Sequence, residues 1–112
     1  MKVINAGHTY ELESFEGGRP QRLQFIHKIA KDDLVGNPPI WKPVTPALVT
    51  VEDGTTNEEV LRMLIDRMYW LNAKFPCREN ALAITKLEET LMWLEKRTAD
   101  RQARGVEGRA ET

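Results

Sequence analysis

The feature that most constrains the fold is a seven-membered repeat in the C-terminal part of the chain. Its members recur with alternating steps of four and three residues: Asn80, Ile84, Leu87, Leu91, Leu94, Thr98 and Arg101. This spacing places side chains on one stripe of an α-helix, as in the seam of a coiled coil. The stripe is apolar in its middle, where each side chain can contribute about 1.5–3 kcal/mol on burial. We therefore predict a helix from about Glu79 to Arg104, ended by Gly105, that packs against a partner.

A shorter helix is predicted before this one. Thr55 and Glu58, or Thr56 and Glu59, have the spacing of a capping box, which marks a helix start. The apolar stripe that follows consists of Val60, Leu64, Met68 and Leu71, widened by Leu61 and Ile65. Pro76 ends this helix, because the residue before a proline is disfavoured in helical conformation. Five residues, 74–78, connect the two helices, so residues 53–104 are predicted to form an antiparallel helical hairpin.

The N-terminal half has the pattern of a small antiparallel β-sheet. Residues 8–15 alternate loosely, a Gly-Gly-Arg-Pro turn occupies 17–20, and 22–29 form a strand. A third strand is predicted at 47–51, after a proline-rich loop at 30–46. We therefore expect one α+β domain over 1–112, with the sheet in 1–52, the hairpin in 53–104 and a tail in 105–112.

Composition excludes several classes of function. Lys and Arg number 16 against 17 Asp and Glu, a net charge of −1, which disfavours general DNA or RNA binding. An anionic ligand must then be small and bound by a local cluster. The single cysteine, Cys77, excludes an internal disulfide and is typical of a reducing cytoplasm. No apolar run of about 18 residues and no basic leader occurs, so neither membrane association nor secretion is expected.

Residues suited to catalysis are few. A nucleophilic pair would need Cys77 to meet His8 or His27. The two histidines can face each other across the predicted strands, but no third ligand stands at metal-site spacing. Neither a Walker loop nor a dinucleotide-binding glycine motif is present. We therefore expect binding without turnover, with no metal and no cofactor.

Candidate ligand-binding residues lie on the two helices. Arg97, Arg101 and Arg104 follow i, i+4, i+7 spacing, which aligns three guanidinium groups that suit phosphate oxygens. The alternative is that they complement the helix dipole as solvated charges. Trp70 falls off the apolar stripe, either packed under the sheet or available to stack on a flat base. Trp93 has the same two interpretations.

The polar ends of the repeat have two interpretations as well. Asn80, Thr98 and Arg101 gain from burial only with hydrogen-bonding partners, and Asn80 can instead set the helix register or cap the helix. Asn80 and Arg97 are separated by roughly 25 Å along one helix. Because no small nucleotide spans that distance, a shared site requires two hairpins packed head to tail around a two-fold axis. This geometry predicts a homodimer with two equivalent pockets.

Several segments resemble the first-described type of phage Thoeris anti-defence protein. They are GHTYEL at 7–12, LQFIHK at 23–28, DGTTNEEV at 53–60, RENALAITKLEE at 78–89, and RTADR at 97–101 with GVEG at 105–108. The C-terminal pattern also resembles the related phage anti-CBASS sponge proteins, and the β half favours the Thoeris type. The proline-rich loop has no counterpart and looks like an insertion.

The resemblance implies a fold and an activity. It implies dimers, with hexamers of three dimers as a further assembly, in the cytoplasm of a phage-infected cell. The implied activity is to sequester, without degrading, the cyclic ADP-ribose isomer (glycocyclic ADP-ribose) made by a bacterial TIR-domain enzyme. By position, Trp70 takes the place of an adenine-stacking aromatic residue, Asn80 of a polar pocket residue, and Arg97 and Arg101 of phosphate-binding arginines.

The resemblance also implies a second activity and leaves rival functions open. Family members are associated with cyclic di- or trinucleotides at a separate site, for which Thr98, Arg104 and residues 105–108 are candidates. A tryptophan at position 70, where a smaller aromatic ring is expected, can alter ligand selectivity. The rival functions are a protein-interaction module that inhibits a host defence protein and a phosphodiesterase that acts on the same signal.

Overall fold

The computed structural model describes residues 1–30 and 48–105, and its class is α+β as predicted. The chain divides into two compact units, with the strands within Met1–Thr56 and the helices in the unit that begins at Asn57. None of the described helices is both long enough and apolar enough to cross a bilayer. Most of the predicted loop at 30–46, and residues 106–112 of the predicted tail, lie outside the described residues. The assignment of 1–112 to a single domain stays a prediction.

The first unit contains five short strands arranged in two antiparallel sheets. Their bounds are Lys2–Asn5 (β1), Thr9–Leu12 (β2), Gln21–Gln24 (β3), His27–Ala30 (β4) and Leu48–Glu52 (β5). One sheet has the order β1-β2-β3, and the other pairs β4 with β5. The predicted hairpin is confirmed by the register of β2 and β3, in which Thr9 lies opposite Gln24 and Leu12 opposite Gln21. Strand β1 was not predicted, because all four of its residues are exposed and show no alternation of burial.

The strand predicted at 22–29 is divided, and here the prediction was wrong. Residues on either side of Phe25 and Ile26 pair with different strands. The Ile26 N–H donates to the Thr55 carbonyl at 2.9 Å, and the Thr55 N–H donates to the Gln24 carbonyl at 2.9 Å. In a continuous strand, the Ile26 N–H and the Gln24 carbonyl would pair with one neighbouring strand, but here both are bonded to Thr55. The chain therefore passes from the first sheet to the second at this point.

Gly54 makes the bridge possible. A Cβ atom at this position would lie 2.4 Å from the Gln24 carbonyl oxygen and 2.6 Å from the Phe25 carbonyl carbon. Real side chains do not approach backbone atoms so closely, so only glycine fits here without moving the backbone. Gly54, which directly precedes the predicted capping box, therefore allows that segment to approach the strand junction closely.

Ring contacts complete the first unit. The His8 and His27 rings stack with centroids 3.7 Å apart and an angle of 16° between their planes, which confirms that the two histidines face each other. Tyr10 and Phe25 meet edge to face at 5.8 Å. Thr9 is buried, and its hydroxyl donates to the Gln24 side-chain carbonyl.

The second unit is the predicted hairpin, made of α1 (Asn57–Lys74) and α2 (Arg78–Ala103). Helix α1 begins directly after the predicted capping threonines, and the break that contains Pro76 separates the helices. Cys77 caps α2, because its Sγ accepts the Asn80 N–H at 3.4 Å. Gly105 follows the last turn with a φ of 72°, the left-handed conformation that ends many helices. Its N–H donates to the Gln102 carbonyl at 3.0 Å.

The predicted seam is the packed face of α2. All seven members of the repeat are buried or half-buried, and Ile84 is only 4% exposed. Across the hairpin, the Tyr69 hydroxyl donates to Glu88 at 2.9 Å, and Arg62 pairs with Glu95 at 3.3 Å. Seven residues forward along one helix correspond to seven residues back along the other, which confirms the antiparallel arrangement.

Candidate functional site

One side of α2 carries a groove, which we call the arginine groove. It has a volume of about 260 Å³ and is lined by Trp93, Lys96, Arg97, Asp100, Arg101 and Arg104. The helical spacing of the three arginines therefore does place them along one surface, as predicted. Among the described residues, four cations and one carboxylate line the groove, an excess of three positive charges on a chain whose net charge is −1. Such a local excess suits a small anion with more than one negative charge.

The arginines differ in their surroundings. Arg97 is exposed, and its side chain makes no hydrogen bond or ion pair to any residue in 1–30 or 48–105. Arg101 is 7% exposed, and both it and Arg104 already take part in interactions of their own. A buried guanidinium stays charged and must be compensated by its surroundings. Arg97 is therefore the most accessible of the three to a ligand, and Arg101 is the one held most firmly in place.

Two further side chains of the groove interact with each other. The Lys96 ammonium group donates to the Asp100 carboxylate at 2.9 Å. This ion pair lies one turn apart on the helix, where such pairs are common. It neutralises Asp100, the carboxylate that lines the groove within residues 48–105.

Trp70 lies on the side of α1 that faces away from α2. Trp70 is 55% exposed, and the Lys74 ammonium group lies 4.6 Å from the ring centroid. This distance is typical of a cation–π contact. The structure therefore leaves a large aromatic surface outside the seam, next to a positive charge.

Asn80 closes the connection between the helices. Its side-chain amide donates to the Phe75 carbonyl at 3.3 Å, while its backbone N–H takes part in the Cys77 cap. These contacts favour the structural role that the sequence left open, and the Asn80 amide oxygen accepts no hydrogen bond from residues 1–30 or 48–105. Thr98 is half-buried in the seam beside Arg97.

A single hairpin does not bring all of these residues together. The Tyr69–Glu88 pair places Trp70 level with Leu87 on the neighbouring helix. Ten residues separate Leu87 from Arg97, which is about 15 Å along the axis. Asn80 is roughly 25 Å from Arg97. Within one chain, the structure joins Arg97, Arg101 and Arg104, whereas Trp70 and Asn80 lie apart from them.

The structure also shows features that sequence reasoning did not assign. The sequence left two interpretations of Trp93 open; in the structure this residue lines the arginine groove and is 56% exposed. A second groove between the helices, of about 450 Å³, was missed altogether. Its lining residues are Arg62, Ile65, Asp66, Tyr69, Glu88, Leu91, Met92 and Glu95. Helical spacing could have shown that Trp93 points away from the seam, but the second groove depends on the register between two helices.

The hydrogen bond inside this second groove alters one titration. Glu88 accepts the Tyr69 hydroxyl proton, and this bond, together with desolvation and the charge of Glu88, raises the pKa of Tyr69 above its ordinary value. The groove therefore contains a tyrosine that holds its proton more strongly than a free one. Metal binding has no comparable support: in 1–30 and 48–105 no three His, Cys, Asp or Glu side chains form a cluster that could hold an ion.

These observations define a class: a small α+β protein whose helical hairpin displays an exposed indole and a cationic groove. Residues 42–99, just over half of the sequence, match the family model described as Acb2/Tad1, hairpin domain. The chain belongs to this family. The matched segment includes Trp70, Asn80, Arg97 and Thr98, whereas Arg101 and Arg104 lie beyond its end.

A relative agrees with this assignment. The protein named Thoeris anti-defense 1 from Bacillus phage SBSphiJ7 is 61% identical over 57 residues. Those residues are 50% of this chain and 40% of the relative, so the match spans less than half of the relative's length. The resemblance to phage Thoeris anti-defence proteins, predicted from the sequence, is confirmed.

Proposed function

We propose that this protein is an anti-defence sponge that binds a cyclic ADP-ribose-type signalling nucleotide and holds it without degrading it. Membership of the Acb2/Tad1 family and the name of the phage relative support an anti-defence role. The signal would be the product of a Thoeris TIR-domain enzyme, and the place of action the cytoplasm of the infected cell. Holding the signal keeps its free concentration below the level that activates the defence.

The observation that carries this proposal is that one hairpin displays an exposed indole and a cationic groove at separate places. The indole of Trp70 is exposed and takes no part in packing the seam. The arginine groove concentrates positive charge on a chain whose net charge is slightly negative. A nucleotide needs both a surface for its base and cations for its phosphates. The two surfaces lie about 15 Å apart along the axis, too far for a small ligand to contact both within one chain.

A head-to-tail homodimer brings the two surfaces together. In this arrangement Trp70 of one protomer stacks on the base, and Asn80 hydrogen-bonds the sugar or the base edge. Arg97 and Arg101 of the other protomer bind the pyrophosphate, and Lys74 adds a cation beside the indole. A two-fold axis makes two such pockets equivalent.

Exposed apolar side chains on the hairpin support assembly. Ile84 is the one apolar residue in 1–30 and 48–105 that is buried, whereas Met63, Leu82 and Met92 are each about half exposed. Apolar surface of this extent is typical of protein–protein contacts. We propose the homodimer as the binding unit, with a hexamer of three dimers as its further assembly.

A second class of ligand is part of the proposal. Cyclic di- or trinucleotides of CBASS systems would bind at a separate site, to which Thr98 and Arg104 contribute. Arg104 lines the arginine groove, and Thr98 follows Arg97 directly in the sequence. The remaining candidates at 106–108 lie outside the described residues.

A sponge must bind tightly to be effective. A Kd of tens of nanomolar corresponds to about −10 kcal/mol. A pocket whose side chains are already held in place loses little entropy on binding. The burial of Arg101 and the Asn80 contacts at the helix connection meet this requirement.

One experiment separates the sponge from its rivals. The protein is incubated with the cyclic ADP-ribose isomer, freed of unbound nucleotide and denatured, and the released molecule is identified by mass spectrometry. A sponge releases intact ligand, a phosphodiesterase releases product, and a protein-interaction module releases nothing. Either of the last two results would refute the proposal.

Variants test the composite pocket. Trp70→Ala, or Arg97→Ala combined with Arg101→Ala, should abolish retention of the ligand while light scattering still shows a dimer. Lys86→Ala, which removes a cation of α2 outside the arginine groove, is the matched control and should retain the ligand. A monomeric wild-type protein would exclude the composite pocket.

A further inference from the structure

We propose that Trp93 is a base-stacking residue of the arginine groove, so that one chain can hold a phosphorylated nucleotide by itself. The base would lie on the exposed indole, and the phosphates would contact Arg97 and then Arg104. This inference rests on the proposed function in one respect: it assumes that the cations of the groove bind phosphate. It adds a stacking residue in the same chain as those cations, distinct from Trp70.

The orientation of Trp93 follows from its distance to the seam. It stands nine residues after Ile84, which rotates it by about 180° around a helix of 3.6 residues per turn. Ile84 is 4% exposed and Trp93 is 56% exposed. The hairpin therefore does not use this indole for its own packing.

The groove residues stand at intervals that suit a nucleotide. Arg97 is one turn beyond Trp93, about 6 Å along the helix axis. Arg104 is about 16 Å beyond Trp93 along the same axis. Side chains four residues apart are neighbours on a helix surface. A base on the indole therefore has a guanidinium beside the sugar, and a second one is within reach of a distal phosphate.

Charge selects among possible ligands of this site. Asp100 is paired with Lys96, and the exposed Arg97 is the groove cation that stands one turn from the indole. Indole faces stack on any base, whereas guanidinium forks need phosphate oxygens. The site should therefore prefer a nucleoside diphosphate to a nucleoside, because only the diphosphate uses both features.

The test uses the full chain with three probes: adenosine diphosphate, adenosine and inorganic pyrophosphate. The Trp41→Phe, Trp70→Phe double variant keeps Trp93 as its single tryptophan and reports directly on that ring. Adenosine diphosphate should quench its fluorescence, and pyrophosphate should compete. By calorimetry, Trp93→Leu should weaken adenosine diphosphate tenfold or more, while leaving pyrophosphate within about twofold.

Two further variants separate stacking from folding. Trp93→Phe keeps an aromatic face and should restore most of the affinity that Trp93→Leu loses. Arg97→Ala should weaken adenosine diphosphate and pyrophosphate alike. Equal circular dichroism spectra would show that these proteins keep their helices. Unchanged binding of adenosine diphosphate in Trp93→Leu would overturn the inference, and so would an absence of binding to the wild-type chain.

The results also distinguish this inference from the proposed function. If Trp93→Leu has no effect while Trp70→Ala abolishes retention of the cyclic signal, the inference fails and the sponge stands. If adenosine diphosphate binds in a Trp93-dependent way but no cyclic signal is retained, the sponge fails and the single-chain site stands.

Discussion

The two units of this chain differ in what defines their structure: side-chain packing in the helical hairpin, and backbone hydrogen bonds in the unit of strands. In the hairpin, side chains of the seven-residue seam pack between two helices, and their burial follows the spacing in the sequence. In the first unit, a run of backbone hydrogen bonds around Gln24, Ile26 and Thr55 decides where one sheet ends and the next begins. The stability of the hairpin should therefore depend mainly on side-chain volume in the seam, and the stability of the first unit mainly on backbone geometry at the strand junction.

The difference extends to what each unit offers a ligand. The hairpin keeps its seam on one stripe, which leaves the outer faces of both helices exposed. Trp70, Trp93 and Arg97 occupy those faces and are exposed. Within residues 1–30, a groove on the first unit carries one cation against two carboxylates, so it suits an anion less well than the arginine groove does. This contrast in charge explains why the candidate site lies on the helices.

The largest expected effect is in the first unit, at Gly54. Gly54→Ala would place a methyl group 2.4 Å from the Gln24 carbonyl oxygen, so the strand junction must move. We expect a loss of about 3 kcal/mol in the free energy of unfolding, measured by chemical denaturation. Hydrogen exchange at the Ile26 and Thr55 amides should accelerate most.

Gly18 provides the matched control for that substitution. A Cβ there would meet only the Ser14 Cβ at 3.9 Å, an ordinary contact. Gly18→Ala should therefore change stability by less than about 0.5 kcal/mol. Equal losses at the two glycines would show that backbone geometry at the junction does not control this unit.

A slightly smaller effect is expected in the hairpin, at Ile84. Ile84→Ala removes the one buried apolar side chain of the described residues and leaves a gap in the seam. A loss of about 2–3 kcal/mol is expected, at the lower end of the range for buried aliphatic residues. Leu82→Ala, at a position 48% exposed, should cost much less. Protection of helix amides should fall in the first variant and stay unchanged in the second.

The same contrast decides how much could be predicted from the sequence. Helical periodicity has a single register, so the spacing from Asn80 to Arg101 identified every buried position of α2. A strand can pair with any neighbour that presents free N–H and carbonyl groups. Nothing in the run from 22 to 29 shows that Thr55, far along the chain, forms a bridge at Phe25. The division of that strand was therefore invisible in the sequence.

The candidate site was predictable to a similar extent. Spacing alone aligned Arg97, Arg101 and Arg104 on one side of α2, and the structure agrees. It did not distinguish exposed Arg97 from buried Arg101, because burial depends on what surrounds a helix. The groove between the helices could not be predicted without knowing that Tyr69 pairs with Glu88, which is a tertiary contact.

A moderate effect is expected at Thr9. Its hydroxyl is buried and donates to the Gln24 side chain, whose amide in turn donates to the Phe25 carbonyl at 2.8 Å. Thr9→Val keeps the shape but removes the donor, which should cost about 1–2 kcal/mol. Thr85→Val is the control, since Thr85 is exposed on α2 and should change stability little. A negligible loss at Thr9 would mean that side-chain hydrogen bonds add nothing to this junction.

The smallest expected effect concerns the titration of Tyr69, which tests whether the hairpin depends on polar side-chain pairs as well as on its seam. The hydrogen bond to Glu88 is the main cause of the raised pKa of Tyr69. Glu88→Gln should therefore lower that pKa toward about 10, the ordinary value of a tyrosine. Ultraviolet difference spectroscopy follows the phenolate, and the Tyr69→Phe variant identifies its signal.

The sign of the accompanying pH dependence follows from the direction of the shift. Because folding raises the pKa of Tyr69, the pair's contribution to stability is fully present below about pH 10 and is lost as the pH rises through the folded value. Tyr69 is about half exposed, so solvent keeps this contribution small. Tyr69→Phe should reduce the pH dependence of helix unfolding above that point. A titration in Glu88→Gln identical to that of the wild-type protein would show that the pair does not hold in solution and that the seam alone aligns the helices.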